Sequence, residues 1–431
     1  MSTAFTLCLI VLFGLFAFGV PVAYTMIAAG AVYILMTGQD PGLVAEQILN
    51  GMFENYTLLA VPLFILAANL MNAGNISNRL LAFCLTAVGR FRAGLAHVNI
   101  VTNVLFAGMS GSAVADAAGM GKLITSMMLK TGRYSPGFAA ALTAAASTIA
   151  PVIPPSIPMI LYALVSGASI GYLFIGGLVP GLLMAAALMI TVMIVARRSN
   201  FQPDQVVPIR ELPRRTLEAF PVLMLPVILI VGLRGGAMTP TEAASICAFY
   251  AFLLAAFFYR ELSFMGFVHH LVDAARSGAS VGIILSGAFL INYVAASENL
   301  PNKLATMIAG ADLSPLMFML VINLVFLAMG CLFDTSIMLL VVIPMLIPSC
   351  RALGIDLVYF GIVIVINMMI GLVTPPFGVL LFVLNGVTGI SLSDIIRESW
   401  KFIASLIFVL VFLVLNPDFV LFVPRMLGYQ G

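Results

Sequence analysis

Residues 104–171 read VLFAGMSGSAVADAAGMGKLITSMMLKTGRYSPGFAAALTAAASTIAPVIPPSIPMILYALVSGASIG. A Ser-Gly-Ser turn (Ser110, Gly111, Ser112) and Asp116 stand inside apolar sequence, and the next apolar run is interrupted by Pro151, Pro154, Pro155 and Pro158. Proline removes a backbone donor and clashes with the preceding turn, so a helix carrying these residues unwinds there. Inside a membrane, backbone that is neither helix nor closed barrel is tolerated only where protein buries it or where it lines a cavity. The stretch therefore reads as half of a substrate and ion site.

Composition supports the membrane setting. Hydrophobic residues are 62% of the chain and charged residues 8%, with a mean hydropathy of +1.16; a soluble domain carries roughly 25% charged residues. The apolar runs are long and lack period-two alternation, which predicts helices and not an outer-membrane barrel. The expected fold is an all-α polytopic membrane protein whose environment is the lipid bilayer. A net charge of +2, with no basic run outside the central loop, offers no surface for nucleic acid. Cys8, Cys84, Cys247, Cys331 and Cys350 form an odd, scattered set with neither a disulfide framework nor metal-ligand spacing.

Taken in order, residues 2–38 hold either two tight crossings meeting near Gly19-Val20-Pro21 or one kinked helix. Residues 41–57 mix apolar positions with Glu46, Asn50 and Glu54, as an interfacial helix does. A crossing follows over about 58–73, then a surface helix over 79–92. Two short arms, within a hairpin of about 93–131, meet at Gly108-Met109-Ser110-Gly111-Ser112. Arg90 and Arg92 precede them and Lys130 and Arg133 follow, so a re-entrant hairpin that enters and leaves on one side is expected. A broken helix spans 137–170. Another crossing ends at Arg197-Arg198, where the polar linker 197–218 begins.

The second half repeats the first at a nearly constant offset of about 220 residues. Asn75-Ile76-Ser77-Asn78 returns as Asn299-Leu300-Pro301-Asn302, Pro154-Pro155 returns as Pro375-Pro376, and Ser166-Gly167 pairs with Asn385-Gly386. The first repeat covers 1–196 and the second 219–431, with a hairpin at about 314–351 and a broken helix at 356–388. Charge makes the repeats inverted. Five of the 19 Lys and Arg residues lie in or beside the linker, which the positive-inside rule puts in the cytoplasm. Residues 41–57 then face the periplasm with acids only. Their counterpart, an interfacial segment over 259–277, faces the cytoplasm with Arg260 and Arg276. Both termini come out periplasmic.

Inverted repeats with matching interrupted segments point to a secondary transporter with a midplane site. Half-helix N-termini suit anionic groups and freed carbonyls suit Na⁺; in a blander reading the small residues only pack helices closely. Asp116 and Asp334 are the acids near the tips. A carboxylate at membrane depth costs on the order of 3 kcal/mol, so each is a half-helix cap or supporting group, an ion ligand or a proton relay. Thr148, Thr374 and Ser156 flank the breaks, as ligands or as partners for backbone freed by proline. Two other classes compete. Gly108-Met109-Ser110-Gly111 matches the Gly-x-Ser-Gly of rhomboid intramembrane proteases, with His97 the nearest base. A passive anion channel is the third, although no filter signature is present.

Several separated runs carry a family resemblance: Gly108 to Asp116, Ala150 to Ser156, the Gly236-Ala237-Met238-Thr239-Pro240-Thr241-Glu242-Ala243-Ala244 run, and Thr374-Pro375-Pro376. They resemble the large membrane subunit of tripartite ATP-independent periplasmic (TRAP) transporters over essentially the whole chain. The resemblance implies a bacterial inner-membrane, Na⁺-driven importer of organic acids such as C4-dicarboxylates or sialic acids, working by an elevator movement and not an enzyme. It implies two partners, a periplasmic substrate-binding protein and a small four-helix membrane subunit. Because the chain starts directly with large-subunit sequence, that small subunit is expected as a separate chain. Carried over by residue, one Na⁺ site lies between Ser110, Gly111, Ser112 and the break from Thr148 through Ile153 to Pro154. The other lies between Gly330, Asp334, Thr335 and Gly371 to Thr374. Substrate is implied at Ser110, Gly111, Ser112, Pro154, Pro155, Ser156, Thr335 and Ser336, with Asp116, Pro375 and Pro376 in support. No Walker motif is present, in line with ion coupling and no ATP.

Overall fold

The computed structural model describes residues 2–72, 76–198, 208–234 and 237–431, the side chain of residue 209 apart. Asn75 of the repeat signature, Gly236 of the family run and residues 199–207 of the linker lie outside the described residues. Everything regular among the described residues is helical. Residues 2–38, left open by sequence, form two 15-residue helices, α1 (Thr3–Ala17) and α2 (Val22–Met36), that pack on each other. Gly19 takes a left-handed backbone (φ 80°) and Pro21 starts the return, so the chain reverses there.

The order of elements then repeats. In the first half, α3 (Gly42–Phe53) meets α4 (Tyr56–Asn72) at a 69° bend. There follow α5 (Ile76–Val88), α6 (Gly94–Ser110), α7 (113–130), α8 (Pro136–Ser147), α9 (Ile157–Ser166) and α10 (Ile170–Arg198). The second half has α11 (Leu212–Arg234), α12 (Pro240–Phe258), α13 (Phe264–Ser297) and α14 (Leu300–Gly310). It continues with α15 (Pro315–Gly330), α16 (Thr335–Ala352), α17 (Leu357–Gly371), α18 (Val379–Thr388) and α19 (Leu392–Leu415). A last helix, α20 (Pro417–Met426), has no counterpart among the described residues of the first half. By length and composition six described helices can cross a membrane, or seven if α3 and α4 count as one bent span. The fold is thus an all-α polytopic one of two inverted repeats, each with a helical hairpin (α6–α7, α15–α16) and a broken helix (α8–α9, α17–α18).

Two details correct the sequence reading. Residues 259–277 are not a separate interfacial segment: from Phe264 onward they belong to α13, 34 residues and about 50 Å of unbroken helix. In the first half Asn55 leaves helical geometry (φ −108°, ψ 78°) and bends the chain, whereas Phe264–Ser297 contains no proline and no such residue. The expected pairing of Gly167 with Gly386 also shifts. Gly167 (φ 75°) closes α9 in the left-handed region, and the residue that closes α18 in the same way is Gly389 (φ 72°), because Gly386 sits inside the helix.

Local caps match between the halves. Ser135 accepts a hydrogen bond from the Phe138 amide to start α8, and Asp356 accepts one from Tyr359 to start α17. Both of these helices are central. Residues 137–147 and 358–371 are buried all round, as expected for helices with no polar face. The halves interlock: α9 packs on α17 of the other repeat, and α18 packs on α8. A second group joins α1, α2 and α4 to α12 and α13.

Each hairpin is tied to its own broken helix by a polar link at the same place. Ser147 Oγ donates to Asn103 Oδ1 at 3.3 Å, and Asn367 Nδ2 donates to Asn323 Oδ1 at 2.8 Å and to its carbonyl at 2.7 Å. All four residues are buried. In the first repeat the link widens, with Asn99 donating to Thr143 Oγ1 at 2.7 Å and Thr125 and Thr143 sharing a bond of 2.9 Å. Asn367→Ala removes two bonds and leaves buried acceptors on Asn323, so it should cost about 1–2 kcal/mol. The expected readout is a lower unfolding midpoint in detergent, and an unchanged midpoint would mean that the link contributes no net stability.

Candidate functional site

The two hairpin tips face one cleft of about 340 Å³. Its walls take Ser110, Gly111 and Ser112 from the first tip, Asp334, Thr335 and Ser336 from the second, and Pro151, Ile157 and Pro158 from the first break. Within this lining Asp334 is the one ionisable group, and no Lys or Arg contributes.

Small residues explain how the tips come so close to the breaks. Gly111 closes α6 at φ 60°, and a Cβ there would run into the Pro155 carbonyl, so the tip lies directly on the unwound backbone. In the second repeat a Cβ on Gly371 would meet the Gly330 carbonyl carbon at 2.7 Å. Both breaks carry a cis peptide, Pro154-Pro155 and Pro375-Pro376. Each second arm also holds a π-helical turn at a matching place, Ala117–Gly121 and Met338–Val342, a form found often at functional sites.

The start of each second arm is capped toward the cleft. Ser112 Oγ accepts from the Ala115 amide at 3.3 Å, and Asp334 Oδ1 accepts from the Ser336 amide at 2.8 Å. Asp334 is thus a cap, and it is exposed. Asp116 is not: Ser112 holds the capping position, while Asp116 lies buried at 2% exposure with the Ser110 side chain as partner and Oδ2 without one. The two acids therefore stand in different environments, although both follow a tip by a few residues.

The remaining candidates divide between cleft and interior. Thr148 is fully buried and donates to the Ala145 carbonyl at 2.6 Å; Thr374 is half-buried and donates to Ile370 at 2.7 Å. Ser156 is buried, donates to the Pro151 carbonyl and accepts from the Met159 amide at 3.2 Å, which starts α9. Pro154, Pro155 and Ile153 are buried behind the first tip, whereas Pro375 is half-buried and Pro376 exposed. Gly330 and Gly371 are buried against each other. Sequence reasoning missed Asn69 and Asn72 on α4 and Ser277 on α13, which line the same cleft. The signal was present: two amides three residues apart in an otherwise apolar span.

The protease reading fails on distance. Ser110 and His97 lie on one helix, thirteen residues apart, which is about 20 Å at 1.5 Å per residue. A base must stand within hydrogen-bond reach of its nucleophile.

Paired hairpins and broken helices around a shared cleft define a polytopic membrane transporter, and the comparisons agree. The model of the tripartite ATP-independent periplasmic transporter DctM component matches residues 9–419, and the chain belongs to that family, which consists of transporter subunits and not enzymes. It is 37% identical to the sialic acid TRAP transporter large permease protein SiaM of Vibrio cholerae, over 96% of this chain and 97% of that one. Identity of 34% extends to the C4-dicarboxylate large permease DctM of the same organism, over 98% of both. At 35% it reaches the 2,3-diketo-L-gulonate large permease YiaN of Escherichia coli, over 95% and 96%. Among solved structures, the Alcanivorax borkumensis YdaH transporter superposes with a TM-score of 0.61 over 86% of this chain and 87% of its own, at 12% identity, which speaks to fold alone.

Gly111→Ala tests the contact of tip and break. A methyl group at φ 60° against the Pro155 carbonyl should displace the tip. The expected result is a loss of transport of about tenfold to a hundredfold, the upper figure being what a 1 Å misplacement can cost, with normal membrane insertion. Transport within twofold of the parent would show that the contact is dispensable.

Proposed function

We propose that the chain is the membrane-translocating subunit of a Na⁺-coupled importer of organic acids in the bacterial inner membrane. One observation carries the reading: two helix N-termini, at Ser112 and Asp334, open onto one cleft that has no basic side chain among its described residues. Partial positive charge at such termini suits a carboxylate, and it draws on backbone amides where a side-chain cation is lacking. The names of the relatives suggest sialic acids, C4-dicarboxylates and related sugar acids as the class of substrate.

Ions would be held by backbone freed at the breaks. In the first site Ser110 and Ser112 combine with carbonyls between Thr148 and Ile153. In the second, Gly330, Asp334 and Thr335 combine with Gly371 and Thr374. The hydroxyls of Thr148 and Thr374 donate to their own helices, which would leave their oxygen lone pairs free to accept a cation. Asp334, the one charge on the cleft wall, would offset the cation and not the substrate. Substrate would lie between Ser110–Ser112 and Thr335–Ser336. Pro154, Pro155 and Ser156 stiffen the floor from behind, and Asp116, Pro375 and Pro376 support the two breaks.

Movement would follow the two packing groups. Hairpins and broken helices form the mobile body, and α1–α4 with α11–α13 form the scaffold, in an elevator motion. A small four-helix membrane subunit would extend that scaffold, and a periplasmic binding protein would deliver substrate. The 197–218 linker is assigned to the cytoplasm and both termini to the periplasm, from the charge of the loops.

Uptake into proteoliposomes with the binding protein and small subunit should require an inward Na⁺ gradient and ignore ATP. Uptake that persists without the gradient, or that needs ATP, overturns the reading. Asp334→Asn keeps the cap, because Asn caps as well as Asp, but removes the charge. It should raise the Na⁺ concentration for half-maximal uptake by about tenfold, equivalent to roughly 1.4 kcal/mol, and an unchanged Na⁺ dependence takes Asp334 out of the ion site.

A further inference from the structure

We propose that a second pocket, some 20 Å along α6 from the cleft, binds the phosphate group of an anionic phospholipid. The pocket encloses about 310 Å³ between the turn from α5 to α6 and the end of α10. Arg92 and Arg197 stand at its mouth and Phe91, Met189 and Met193 form its sides, with His97 at the inner wall. No acid lines it, and neither arginine has a carboxylate partner among the described residues.

His97 supplies an independent sign of a missing ligand. It is only 2% exposed, and its Nδ1 has no hydrogen-bond partner. Phe91 stands edge-on to the imidazole with ring centroids 6.0 Å apart, so the ring is held in place by packing while a polar atom stays unsatisfied. A buried polar atom without a partner costs free energy, and a phosphate oxygen reaching into this pocket would relieve that.

Spacing favours a lipid over a free anion. Met189, Met193 and Arg197 follow one another at intervals of four on α10, which lines them up on one face with the charge at the helix end. Arg197 closes a 29-residue apolar helix, at the level where headgroups lie. Met193 and Phe91 are 46% and 48% exposed, apolar surface that acyl or glycerol carbons would cover and that inorganic phosphate would not. Basic pockets between membrane helices take anionic headgroups in this way.

The test uses the whole chain, delipidated in detergent, with phosphatidylglycerol, phosphatidylcholine and inorganic phosphate as probes, read by native mass spectrometry and thermal unfolding. Phosphatidylglycerol should bind and raise the unfolding midpoint, and phosphatidylcholine should bind more weakly. R92Q or R197Q should weaken phosphatidylglycerol binding about fivefold, and both together about thirtyfold, whereas R351Q, at the end of the second hairpin, should not. Met193→Trp fills the pocket without touching charge and should also reduce binding. Equal phosphatidylglycerol binding by R92Q/R197Q and the parent overturns the proposal. Protection by inorganic phosphate equal to that by the lipid overturns it too, since the site would then be one for free anions.

Discussion

Unwound backbone inside a hydrocarbon layer has no water to satisfy it, and the whole arrangement depends on how that constraint is met. Each broken helix is covered by the tip of its own hairpin. Gly111 lies on the Pro155 carbonyl and Gly330 on Gly371, contacts that any side chain at Gly111 or Gly371 would prevent. The Ser156 hydroxyl takes up the Pro151 carbonyl, which has a proline four residues on, while Thr148 and Thr374 bond back to carbonyls of their own last helical turn. Breaks that would be prohibitive at a lipid face become the floor of a cleft, where the few remaining free groups can meet a ligand.

Central placement of α8 and α17 follows from the same constraint. Both helices are buried on every side and carry only a few, internally bonded polar residues, so their broken ends lie deep in the protein. Crossing over of the repeats, α9 onto α17 and α18 onto α8, makes the two breaks parts of one body. The Asn103–Ser147 and Asn323–Asn367 links then fix each hairpin in register with its break. A polar side chain in an apolar interior is poorly tolerated without a partner, so these pairs specify one alignment where apolar surfaces alone would allow sliding.

The repeats are similar but not equal. Residues 148–156 of the first break are buried throughout, whereas Pro376 and Phe377 of the second are exposed. Ser112 caps one second arm and Asp334 the other, so a neutral cap faces a charged one across the cleft. Asp116 has no acidic counterpart, since Ile337 stands before the matching π-helical turn. On the proposed function, such halves would hold cation and anion side by side, with the charge supplied from one repeat only.

Much of this was legible in the order of residues alone. Composition declares the membrane, Pro151 to Pro158 declares the break, and the return of Pro-Pro after about 220 residues declares the duplication. These are local effects: proline, glycine and runs of apolar residues act on the chain within a turn or two. Left to the tertiary structure were the features that need two distant segments at once. Only packing sets Asn69, Asn72 and Ser277 against the tips, pairs Gly167 with Gly389, makes one helix of Phe264–Ser297, and gives Asp116 and Asp334 different surroundings. Sequence alone determined where this chain must break inside the membrane, and the fold decided what each break faces, because partners for freed backbone come from other helices.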